Sequence, residues 1–152
     1  TALTGKKDKK EFLKELGASN ILERKELEGE HRNLDKGLWD GVVDTVGGKI
    51  LANAISQTKP AGIVAACGLA ASHKLETTVM PFIIRGVKLW GIDCVTCSKK
   101  RREFIWNEVA NLINFKILEK YIKIIGLKEL INIFPDMLQG KIAGRIVVDV
   151  KK

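Results

Sequence analysis

The feature that most constrains this chain is a strand, turn, helix, strand succession at its centre. Leu38 to Val46 is rich in β-branched residues and closes on Gly47-Gly48, after which Ile50, Leu51, Ala54 and Ile55 recur at helical spacing. The apolar run Gly62-Ile63-Val64-Ala65-Ala66-Cys67 follows and stops at Gly68. A strand with no polar side chain has no face to offer water, so this run predicts a parallel strand covered on both faces. Parallel neighbours need a crossover, usually a helix, so the unit predicts an α/β fold with a parallel sheet.

The flanks extend the alternation. Phe12, Leu13 and Leu16 form one stripe of a helix over Lys9–Leu16 that Gly17 stops. Ile21-Leu22 predicts a short strand, and Glu23 to Lys36 a polar surface connection holding His31. A loop with Thr77, Thr78 and Pro81 leads through Phe82–Gly86 into a strand over Val87–Val95. Phe104, Ile105, Val109 and Leu112 share one face of a helix over Lys99–Ile113. A further helix spans Leu127–Leu138 up to Gly140, and Arg145–Val150 is the last strand. No internal repeat or low-complexity linker interrupts the pattern.

Composition sets the outer limits. At 152 residues the chain has one domain's worth of sequence, and 45% hydrophobic against 29% charged residues with only 3 Pro excludes disordered, collagen-like and coiled-coil classes. The longest apolar run, Gly62 to Ala71, falls well short of the ~20 residues that span a bilayer, and no signal-peptide core opens the sequence. A soluble cytoplasmic protein without a membrane partner is expected, and three Cys with no framework spacing fit a reducing compartment. The net charge of +8 gathers in Lys99-Lys100-Arg101-Arg102 and in the tail from Lys116, because residues 1–36 are nearly balanced. A solvated helix face explains it. With aromatics at 6% and no helix-turn-helix, RNP or zinc-finger pattern, no nucleic-acid partner is expected.

Few side chains read as chemistry. Cys94-Val95-Thr96-Cys97 is a C-x-x-C, but an extended strand turns positions i and i+3 to opposite faces, so the thiols read as buried or half-buried and unpaired, with no metal site. His31 and His73 lie in polar connections and form no catalytic constellation. Trp39, Trp90 and Trp106 read as core or interface packing. Asp40 and Asp44 share a strand face, with Asp44 where α/β sheets place ligand-facing residues. Small residues mark three strand ends: Gly5 after Leu3-Thr4, Gly47-Gly48 after Val46, Gly68 after Cys67. A doubly wound sheet admits a nucleotide at such ends.

The segment Trp39-Asp40-Gly41-Val42-Val43-Asp44-Thr45-Val46-Gly47-Gly48-Lys49-Ile50-Leu51-Ala52 resembles a signature of one branch of the medium-chain dehydrogenase/reductase superfamily, the acrylyl-CoA reductases and YhdH/YhfP-type quinone oxidoreductases. The likeness continues through Val64–Ala70, Thr77–Val87, Gly91-Ile92-Asp93 and Gly140–Asp149, nearly the whole chain.

The resemblance implies a partial Rossmann-like, doubly wound parallel sheet that lacks the first strand and its Gly-rich loop. No Gly-x-Gly-x-x-Gly occurs. It implies that residues 1–113 are a partial NADP-binding Rossmann domain and 114–152 a helix and strand returning to a substrate domain, so that the sequence reads as the C-terminal half of such an enzyme. Thr4, Gly5 and Lys6 match the family's contact to the 2′-phosphate of NADP(H), Asn20 stands where the family has another basic or polar contact to the adenosine end, and Leu69 and Ile83 match positions lining the nicotinamide half. Cys94 stands in place of a family Ser. Ala71-Ser72 replaces a Gly-Gly and implies a stiffer loop.

The implied reaction is zinc-independent hydride transfer from NADPH to an α,β-unsaturated acyl-CoA or quinone-like enone, with no catalytic residue assignable in this stretch. The alternative is a non-enzymatic Rossmann-like nucleotide-binding or interaction module. A homo-oligomer through Val87–Val95, with Trp90 at the seam, is the implied assembly.

Overall fold

A computed structural model describes residues 1–30 and 32–152; His31 lies outside the described residues. The elements run β1 (Ala2–Thr4), α1 (Lys10–Glu15), β2 (Ile21–Glu23), β3 (Trp39–Asp44), α2 (Gly48–Ser56), β4 (Thr58–Ala66), α3 (Met80–Arg85) and β5 (Lys88–Gly91). They continue with α4 (Lys99–Leu112), α5 (Phe115–Glu119), β6 (Ile122–Gly126), α6 (Leu130–Leu138) and β7 (Arg145–Asp149). The fold is α/β and Rossmann-like, with parallel strands as expected. Contacts divide the chain into two compact units. One holds Leu3–Gly5 and Leu22–Arg102; the other holds Thr1–Ala2, Lys6–Ile21 and Glu103–Lys152. This division follows packing, whereas the expected boundary at residue 113 concerns which family domain each stretch serves.

In the first unit β4 lies between β3 and β5, with Val42 opposite Val64 and Val64 opposite Leu89. The helical spacing of Leu51 and Ile55 turns both onto Val64 and Val87, and Val42, Ala66, Leu75 and Phe82 pack around them. Full burial of each such side chain stabilises the unit by about 1.5–3 kcal/mol. β1 and β2 form a two-stranded sheet of their own.

The expectation that the apolar strand is covered on both faces is corrected. Residues of α2 and α3 both join the Val64 cluster, because successive right-handed crossovers running the same way lay their helices on one face. The reverse face carries Val43, 77% exposed, with Ile63 and Trp90 also exposed. Trp106 is exposed too, so two of the three indoles are not core. Trp39 is half-buried and donates its Nε1–H to Gln57 Oε1 at 3.2 Å.

Further corrections concern local signals. The stretch read as a loop into a strand contains helix α3, started by Pro81 in its first turn and ended by Gly86 in the left-handed conformation at φ 62°. β5 ends at Gly91, because Asp93 Oδ1 accepts the N–H groups of Val95 and Thr96 and turns the chain out of the ladder. α5 and β6 were not expected, because their residues mix Lys with Ile in no clear period. No described helix is long and apolar enough to cross a membrane.

In the second unit β6 and β7 pair in parallel around the buried Ile125. Phe12 of α1 meets Tyr121 edge-on, with ring centroids 4.4 Å apart. Glu15 accepts hydrogen bonds from the Lys120 ammonium and the Tyr121 hydroxyl. The Lys120 bond, then the Tyr121 bond, hold the Glu15 carboxyl below its ordinary 4.5, while the bond to Glu15 raises the Tyr121 hydroxyl above its ordinary 10.0. A lowered acid contributes stability that is present above its unfolded value and lost as pH falls through the folded one; a raised group loses its contribution as pH rises through the folded value. Glu15→Gln is therefore expected to flatten the acid and alkaline limbs of a melting-temperature profile at once. Limbs identical to those of the parent chain would refute this.

Candidate functional site

The site is built at the carboxyl ends of β3, β4 and β5. Asp44, expected to face a ligand, is buried instead, and both its carboxylate oxygens accept the Gly47 N–H, at 3.2 and 3.0 Å. Gly47 thereby sits at φ 72°, ψ −163°, a region essentially closed to side chains. A Cβ there would lie 2.1 Å from the Ser72 carbonyl oxygen. The loops after β3 and β4 run together: Ala71 N–H donates to Val46 O at 2.9 Å, and Gly47 bridges Ser72. Gly68 closes the seam, since its Cβ would lie 2.4 Å from Thr45 O. The glycines at the strand ends are thus steric requirements for two backbones in contact, and Ser72 is clamped by Gly47.

Beside this seam α2 begins. Glu30, Gly48, Lys49, Ser72, Lys74 and Glu76 line a cavity of about 280 Å³. Lys49 Nζ meets Glu30 Oε1 at 2.6 Å, and that bond raises the Lys49 ammonium above its ordinary value. The cavity holds paired charges of both signs.

At the end of β1, Thr4 is half-buried and Gly5 exposed. The Arg24 guanidinium lies over Gly5: a Cβ on Gly5 would stand 3.3 Å from Arg24 Cζ. Sequence reasoning missed Arg24, although it is the first basic residue after β2 and so belongs to the strand-end set. Lys6 Nζ donates to the Ile142 carbonyl at 2.6 Å. Asn20 is exposed and its carbonyl accepts the Ala2 N–H at 2.9 Å.

Three further expected residues sit on separate elements. Leu69 is in the β4 loop, 66% exposed; Ile83 is on α3, 75% exposed; Cys94 is in the turn after β5. The thiols differ from expectation, since Cys67 and Cys94 are exposed and Cys97 is half-buried. His73 is exposed. Among the described residues no group of three or more His, Cys, Asp or Glu side chains is placed to hold a metal ion.

Comparison with known proteins places this geometry. Residues 1–115 match the model of the zinc-binding dehydrogenase family. The acrylyl-CoA reductase AcuI of Ruegeria pomeroyi is 40% identical over 150 residues, covering 98% of this chain and 46% of that protein. The yhdH oxidoreductase from Salmonella enterica, solved in complex with NADP, superimposes with a TM-score of 0.94 at 37% identity, over 98% of this chain and 46% of that one. Bacillus subtilis yhfP, solved with NAD bound, gives 0.89 at 35% identity over 98% of this chain and 46% of that one. The chain spans about half the length of the curated relatives it matches.

Proposed function

This chain belongs to the zinc-binding dehydrogenase family, within the medium-chain dehydrogenase/reductase superfamily, and from that membership we propose that it supplies the NADP(H)-holding part of an oxidoreductase. The single observation that carries the cofactor choice is the Arg24 guanidinium seated against Gly5, at the end of β1. A side-chain-free residue lets the guanidinium and the backbone approach one anion together, and a planar fork suits a phosphomonoester. An NAD site would carry Asp or Glu there, where this chain has Thr4, Gly5 and Lys6.

In this reading Thr4, Gly5 and Arg24 receive the 2′-phosphate, and Lys6, next in sequence, adds a cation. Asn20 serves the adenosine end. Leu69, Ile83 and Cys94 face the nicotinamide half, and the Gly47–Ser72 and Gly68–Thr45 contacts keep the strand ends low enough for a dinucleotide to cross them. NADPH, when bound, supplies the hydride; the acceptor is an α,β-unsaturated acyl-CoA or quinone-like enone that takes it at the β-carbon. The transfer proposed here needs no zinc ion. Residues 1–113 serve the cofactor and 114–152 return to a substrate domain. Among the described residues β5 pairs with β4 on one side, and it is exposed along its length, so its outer edge pairs with that of a second copy, and three free thiols fit a cytoplasmic setting.

Titration with NADPH and NADH tests the assignment. NADPH is expected to bind more tightly, and Arg24→Ala to weaken it by about 1.5–3 kcal/mol before solvent screening, the worth of one hydrogen bond to a charged group. Lys6→Ala is expected to cost less, since that ammonium already has a carbonyl partner. Equal affinities for the two dinucleotides would remove the basis for the reading.

A further inference from the structure

Beyond setting Cys94 beside the nicotinamide half, the dinucleotide reading gives the C-x-x-C pair no task, and the structure removes the reason for dismissing the pair. β5 ends at Gly91, so Cys94 to Cys97 are not extended; the chain bends at Val95 and Thr96, the two residues between the thiols. Asp93 enforces that bend by accepting the Val95 and Thr96 N–H groups at 2.8 and 3.1 Å, together with the Thr96 hydroxyl. Bends at two consecutive residues shorten the span between the flanking thiols, and a disulfide closes where their Cα atoms come within about 7 Å. Ser98 then caps α4, its carbonyl accepting the Arg102 N–H at 2.9 Å. The pair therefore stands directly before the N-terminus of a 14-residue helix whose first turn is Lys99-Lys100-Arg101-Arg102. Arg102 reaches back to donate to the Cys94 carbonyl at 2.7 Å.

We propose that Cys94 and Cys97 form a reversible dithiol–disulfide site that takes a low-molecular-weight disulfide of the glutathione type. Cys94, the exposed thiol, attacks one sulfur of the oxidised peptide as its thiolate; a new S–S bond forms to Cys94, the old one breaks, and one glutathione thiolate leaves. Cys97, the half-buried thiol, then attacks the Cys94 sulfur and releases the second glutathione. The protein loses two hydrogens as protons and two electrons, and the disulfide is reduced to two thiols. The four-cation turn attracts the carboxylates of the incoming peptide. Neither zinc nor the dinucleotide is needed.

Trypsin releases both thiols in one peptide, Leu89–Lys99, which makes the test direct. The 152-residue chain is equilibrated in glutathione buffers of rising oxidised fraction, alkylated and digested. The peptide is expected two hydrogens lighter and unalkylated, in about tenfold excess over glutathione adducts, because the second thiol competes from within the same loop. Cys97→Ser is expected to convert that product into a mixed disulfide at Cys94. Adducts without the internal bond in the parent chain, a Cys67–Cys94 link in its place, or a Leu89–Lys99 dithiol persisting where Cys67 has reacted would each overturn the proposal.

Discussion

Gly47→Ala is expected to cost the unit of residues 3–5 and 22–102 about 3 kcal/mol or more, the sum of left-handed strain and a backbone collision. The φ of 72° with ψ of −163° is closed to alanine, and the new methyl would stand 2.1 Å from the Ser72 carbonyl oxygen, which is backbone and cannot swing aside. Against a total stability of about 5–15 kcal/mol, that loss lowers the melting temperature by roughly 12 °C or more. Gly86→Ala is the control, since φ is 62° there but no atom lies within 4 Å of the added Cβ. It is expected to cost only about 1–2 kcal/mol, the strain alone. Similar losses at the two glycines, read by thermal denaturation, would show that the clamp between the β3 and β4 loops does not carry the difference. Gly68→Ala, which drives a methyl to 2.4 Å from Thr45 O, should group with Gly47→Ala.

The contrast between these glycines shows what the sequence could and could not display. Val42, Leu51, Ile55 and Val64 were legible because period-2 and helical spacing mark residues that meet in a core, and they do meet. Gly47 and Gly68 were legible as turn punctuation. Their contacts with Ser72 and Thr45 were not, because a contact between two loops leaves no local pattern. The role of Asp44 was misread for the same reason: a carboxylate at a strand end looks alike whether it faces a ligand or holds the next turn's N–H, and only its burial decides. Arg24 escaped notice because its neighbour across the sheet end, Gly5, is distant in sequence and carries no side chain to signal the approach. α3 was hidden by its shortness, since six residues are too few for a period, and its signals were the proline and glycine at its ends.

The 152-residue chain on its own is expected to transfer no measurable hydride from NADPH to acrylyl-CoA or to a quinone. Two tasks are missing from these residues. No Gly-x-Gly-x-x-Gly turn is present to offer backbone N–H groups to a pyrophosphate, so under the proposed reading a dinucleotide would be held by its 2′-phosphate end with the reacting ring left to wander. The residues assigned to that ring, Leu69 and Ile83, are about two-thirds to three-quarters exposed, so water stays where hydride transfer needs a dry, pre-ordered pocket. Lost positioning alone is worth about 7–11 kcal/mol of barrier, five or more decades in rate. Enzymes of ordinary competence turn over at about 1–10³ per second, and a loss of that size takes them below detection by absorbance of the reduced nicotinamide. Binding without turnover, with NADPH preferred over NADH, is the expected pair of results. Steady turnover near the ordinary range would mean that these residues assemble a complete catalytic site, and the division of labour proposed for them would have to be abandoned.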